Sequence, residues 1–162
     1  MRSAARAYTA EMAPISRFLC ASILVLAPAA AVAQATVSPL DARAVREVIE
    51  AQLDAFARDD AARAFSLATP GIREFFGTPE KFIDMVRRSY AVVYRPRSVL
   101  FESPVLVEGQ VMQPVRLTDA EGRGWIAVYP MQRQPDGNWR TNGCQLGRLS
   151  GQQVRIPKPP AV

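Results

Sequence analysis

At Pro96 the chain changes period, and that change limits the fold more than any motif does. Before it, apolar residues recur every three or four positions. After it come short β-branched and aromatic runs broken by turn residues. Helices first and antiparallel strands second is the α+β order.

Val45, Val48, Ile49, Gln52, Leu53 and Phe56 give one face of a first helix, with Asp41 as its expected N-cap. Asp59-Asp60 ends that helix and caps a second, apolar at Ala61, Ala64, Phe65 and Leu67-Ala68, which Thr69-Pro70-Gly71 closes. Ile72–Phe76 reads as one helical turn ended by Gly77. Thr78-Pro79-Glu80 is a strong helix start, with Phe82, Met85, Val86 and Ser89-Tyr90 on the expected buried face. Ala91–Tyr94 reads equally as a last helical turn or as extended chain, and Pro96 keeps Arg95 out of helical geometry.

Strands are expected at Val99–Glu102, Val105–Val107, Val111–Thr118 and Gly124–Met131. The last enters a hairpin, Trp125–Leu146, through a Pro135-Asp136-Gly137 turn. A three-residue loop sets Gln134 opposite Asn138. Counted outward, it puts Val128 opposite Cys144 and Ile126 opposite Leu146. Both faces of the hairpin are then largely apolar. One packs under the helices, and the other calls for cover, with a homodimer through the outer sheet face as the expected partner.

Residues 17–33 follow the secretory recipe: Arg17, an apolar run too short to span a bilayer, and Ala31-Val32-Ala33 as the cleavage site. Met12 gives a more ordinary leader than Met1. The expected organisation is a signal peptide at 1–33, a linker at 34–40, an α+β domain at 41–149 and a Pro-rich tail at 150–162. A periplasmic or secreted location follows, with no membrane association after cleavage. Cys144 would then be the sole thiol, in an oxidising compartment.

The chain has no histidine, which excludes a Ser-His-Asp triad, a Cys-His pair and any zinc site built on imidazole. No metal ligand set and no cofactor motif is read. The formal charge is +5, and all basic residues but Lys81 and Lys158 are arginines. They are scattered, without the basic stripe of a nucleic-acid binder.

Three helices leading into a curved antiparallel sheet of four to six strands resemble the cone of the nuclear-transport-factor-two-like fold, shared by ketosteroid isomerase and many binding modules. From Val48 to Leu146 the chain also resembles an uncharacterised bacterial family, domain of unknown function 4864. The match is carried by Ile49–Phe56, Asp59-Asp60, Pro70-Gly71-Ile72, Phe76-Gly77-Thr78-Pro79, Tyr94-Arg95-Pro96, Tyr129-Pro130 and Trp139–Cys144. The resemblance implies the cone and no activity.

Three functions are open for such a cone. The first is a non-catalytic binding or accessory module for a small apolar ligand, with Tyr94, Trp125, Tyr129 and Trp139 as lining candidates beside Phe75 and Phe76. The second is an isomerase- or lyase-type enzyme. In the cone enzymes it resembles, an acid serves as base and a tyrosine as donor, which here points to Asp84, Asp54 or Glu102 with Tyr90, Tyr94 or Tyr129. The third is an interaction domain whose cone is filled by its own aromatics. Among catalytic candidates Asp84, Tyr94 and Cys144 stand first. Cys144 reads as a thiol activated by Arg140 or as a small buried apolar residue, and the lack of histidine favours the latter.

Overall fold

Five helices precede six strands in the computed structural model, which describes residues 36–149. The expected signal peptide at 1–33 and the expected tail at 150–162 lie outside the described residues. Helix α1 (Pro39–Ala57) begins two residues before the expected start, because Ser38 is its cap and Pro39 takes the first turn. Ser38 accepts from the Asp41 amide, and Asp41 sits in the first turn beside the positive end of the helix dipole.

Asp59 takes a left-handed φ of 59°, and Asp60 caps α2 (Ala61–Ser66) by accepting from the Arg63 amide. The two neighbouring carboxylates therefore diverge. α3 (Pro70–Phe76) ends at Gly77, whose φ of 73° suits a residue without Cβ. α4 (Pro79–Ser89) is capped by Thr78, and a break at Tyr90 separates it from α5 (Ala91–Tyr94), so the undecided segment is a helical turn. Ile83 joins Phe82 and Val86 on the buried face of α4, whereas Ser89 is exposed.

The strands β1 (Ser98–Phe101), β2 (Val105–Val107), β3 (Gln110–Thr118), β4 (Gly124–Arg133), β5 (Trp139–Thr141) and β6 (Gln145–Arg148) form one antiparallel sheet. β3 and β4 are its centre. β1 and β2 share the outer edge of β3, and β5 and β6 share that of β4. Each edge is thus one strand broken in the middle. The first break lies beside Pro114, which has no amide to give, and the Gln113 side chain fills it by donating to the carbonyls of Glu102 and Pro114.

The second break corrects the expected register. The loop pairs Gln134 with Asn138, and Met131 faces Thr141. Beyond that, Val128 faces Gln145 instead of Cys144, and Ala127 instead of Ile126 faces Leu146. One extra residue is absorbed at Asn142-Gly143-Cys144, where Gly143 has a φ of 106°. A one-residue slip exchanges faces, and bulges of this kind bend the strand that carries them.

The inner face of the sheet presents Ala127, Tyr129 and Met131 with Val115 and Leu117 to the helices, in one core with Ile49, Phe56, Phe82 and Val93. On the outer face Met112, Ile126 and Val128 cluster with Val105, Val107 and Leu149. β5 is stitched to the α2–α3 connection: Thr141 N donates to Leu67 O, and Thr69 N donates to Thr141 O, both at 3.0 Å.

Candidate functional site

Between the helices and the inner face of β4 and β5 lies a cavity of about 450 Å³. Helices α1, α3 and α4 supply Phe56, Phe76, Phe82 and Met85, β4 supplies Tyr129, and the segment between β5 and β6 supplies Cys144. Phe82 joins these walls, its ring centroid lying 5.3–5.9 Å from those of Phe56, Phe65 and Phe76. Phe75 lines the cavity yet is 82 % exposed, which marks the mouth beside α3.

No charged side chain lines this space. Gln52, a polar residue in the apolar stripe of α1, is buried and donates to Ala64 O at 3.0 Å. Thr141 Oγ1 donates to Leu67 O. Tyr129 is different: it is 2 % exposed, and its Oη has no hydrogen-bond partner. Burial, and then the neighbouring Cys144, hold its hydroxyl well above the usual tyrosine range, so it stays protonated. Burial pushes the Cys144 thiol up to about 12, and the Tyr129 hydroxyl opposes that in part. The two groups are electrostatic neighbours without meeting hydrogen-bond geometry. Burial also raises the Tyr90 phenol, with Cys144 as the second cause.

The bulge explains why Cys144 belongs to this wall. Without the slip it would stand opposite Val128, on the outer face; with it, the thiol lies beside Tyr129. Arg140 does not activate it: its guanidinium donates to Ser66 O at 2.7 Å and to Asp136 at 3.4 Å.

The other candidates lie elsewhere. Asp84 pairs with Arg87 at 3.2 Å on the exposed side of α4, and Asp54 pairs with Arg58 at 2.6 Å. Glu102 pairs with Arg116. Tyr94 is core: its ring packs on Phe56, and its Oη accepts from Arg87 Nε at 3.1 Å. Arg87 and Arg95 both stand 5.2 Å from that ring and both bind Asp59. Trp125 donates to Asp119 at 2.8 Å and lies under Arg148. Trp139 donates to Asp41 at 3.1 Å and lines a separate, shallower groove against α1. Of the candidates, then, the structure brings together Tyr129, Cys144, Phe75, Phe76 and Tyr90. Phe56, Phe82 and Met85 were legible only as apolar helix faces; Gln52 alone carried a signal, as the polar residue inside such a face.

Among the described residues no group of acidic residues or cysteine is placed to hold a metal ion, and no helix is long and apolar enough to cross a membrane.

The architecture defines a class: a helix-covered, curved antiparallel sheet enclosing an apolar cavity, consistent with the nuclear-transport-factor-two-like fold. Residues 39–154 match the family described as Domain of unknown function (DUF4864), and the chain belongs to it. No curated protein and no solved structure matches the chain.

Proposed function

We propose that this domain is a non-catalytic binding or accessory module that takes a small, neutral, largely apolar molecule into its cavity. The observation that carries this reading is a space of about 450 Å³ with aromatic walls and no charged side chain. That volume lies in the range of small-molecule sites, where few polar groups set orientation. An enzyme with a carboxylate base finds no acid on the lining, since Asp54, Asp84 and Glu102 are all held by arginines outside it. A filled cone would leave no such space.

The test is displacement of a neutral fluorescent probe, N-phenyl-1-naphthylamine, from the purified domain. Met85→Trp, which fills the space from α4, is expected to abolish probe binding while the fold survives. Undiminished binding in that variant would reject the cavity as the site. Native mass spectrometry of protein taken from its own compartment would then identify a retained molecule.

The reading includes export through residues 1–33, which leaves a mature chain beginning at Gln34; the mass of the protein in fractionated cells tests it. It also includes a homodimer through the outer sheet face. There Met112 and Val128 are buried in the single chain, and Leu100, 63 % exposed, is the large apolar side chain left open on β1. A monomer mass by light scattering at micromolar concentration would refute the dimer.

A further inference from the structure

Among the described residues, one fully buried side-chain oxygen on the cavity lining has no hydrogen-bond partner within the chain. Gln52 and Thr141 each donate to a main-chain carbonyl, those of Ala64 and Leu67. Tyr129 Oη is fully enclosed and has no partner. An unpartnered buried hydroxyl forfeits its bonds to water and receives nothing in return, so native structures rarely keep one without use. Phenylalanine at position 129 would fill the same space without that penalty.

Two further features bear on it. Tyr129 sits on β4, a central strand, so its position is set by pairing with Gln113 on β3. The bulge at Gly143 then turns Cys144 to the same wall, where a neutral thiol is the adjoining group. No lysine, arginine, aspartate or glutamate reaches this wall.

We infer that the cavity's occupant is an uncharged, mostly hydrocarbon molecule with a single hydrogen-bond acceptor, a ketone or ether oxygen, that receives the Tyr129 hydroxyl proton as a hydrogen bond. This rests on the cavity reading above and adds the ligand's class and its orientation: polar end against Tyr129 and Cys144, apolar body among Phe56, Phe76 and Phe82. The hydroxyl is a positioning donor, and no proton is transferred. A carboxylate of the same shape is excluded, because it would bury a charge with no cation to meet it.

Three shape-matched compounds test this on the purified protein, each competing against N-phenyl-1-naphthylamine: 2-ethylnaphthalene, 2-acetylnaphthalene and 2-naphthoate. The ketone is expected to bind about tenfold more tightly than the hydrocarbon, the size of one added hydrogen bond to a buried donor. The carboxylate is expected to bind most weakly. In Tyr129→Phe the ketone's advantage disappears while 2-ethylnaphthalene binds as before. Equal binding of ketone and hydrocarbon in the native protein, or an advantage that survives in Tyr129→Phe, overturns the inference and leaves the cavity reading standing. Failure of both neutral compounds to displace the probe removes the cavity reading and this inference with it. A second readout needs no ligand: Tyr129→Phe should melt at the same temperature or higher. A clear fall would mean that the hydroxyl has a partner in the empty protein, and would also overturn the inference.

Discussion

Two side chains on one face of β4, Trp125 and Tyr129, each bring a polar tip to the inner side of the sheet, and the chain treats them in opposite ways. At Trp125 everything is closed. Its Nε1 donates to Asp119 at 2.8 Å, and Arg123 donates to the same carboxylate from both backbone and side chain. Burial pushes the Asp119 carboxyl up, but these hydrogen bonds and the Arg123 charge outweigh it and bring the group down to about 2. At Tyr129 the oxygen is left alone beside a thiol. The closed end is a structural knot at the β3–β4 turn, and Tyr129 is one of the residues that line the cavity. The satisfied polar tip belongs to the turn that joins two central strands, and the unsatisfied one is the group that the proposed occupant would meet.

Phe82 belongs to the cavity wall and to the core at once, so the largest effect is expected there. Phe82→Ala should cost about 3–5 kcal/mol in urea unfolding, the usual range for losing a buried phenylalanine. A cost below about 1 kcal/mol, within the spread of ordinary surface changes, would mean that the cavity side is not core.

Next comes the closed end. Asp119→Asn should lower the melting temperature, because Arg123 loses its ion pair with that carboxylate and the amide cannot accept as the carboxylate did. The folded carboxyl lies at about 2, below its ordinary 3.8, so its contribution is present above pH 3.8 and is lost as pH falls towards 2. Acid titration of native and Asp119→Asn proteins should differ in that window and run parallel above it. Unchanged acid sensitivity would dissolve the knot.

Smaller, and opposite in sign, is Tyr129→Phe. Removing an unpartnered hydroxyl should stabilise the ligand-free protein by about 1 kcal/mol. Destabilisation by that amount would make the two ends alike. Least visible is Cys144, whose thiol stays neutral well past physiological pH. A bulky maleimide at pH 8 should leave it intact in the native protein and modify it quickly in denaturant. Rapid native modification would restore it as a reactive group.

Sequence reasoning read the helices well, because caps and breakers act within a few residues. Asp60, Thr78 and Gly77 each do what their spacing suggests, and Pro135-Asp136-Gly137 makes its turn. It read the site less well. Trp139 and Tyr94 looked like lining residues and are instead tied to Asp41 and Arg87, partners 98 and 7 positions away in the chain. Asp84 lies on the solvated side of its helix for the ordinary reason that an i, i+3 arginine is there to pair with it.

The order of elements, the α+β class, the local caps and the hairpin turn are properties of short stretches, so the amino-acid sequence alone determined them. Which face Cys144 occupies was decided by the tertiary structure. A hairpin counted outward from its loop carries its register only until a bulge intervenes, and the bulge at Asn142–Cys144 forms where Asn142 donates to Pro130 O and binds Thr69 across the fold. That one-residue shift is paid for by contacts between segments far apart in the chain. It is also what sets a thiol beside Tyr129 in the wall of a cavity.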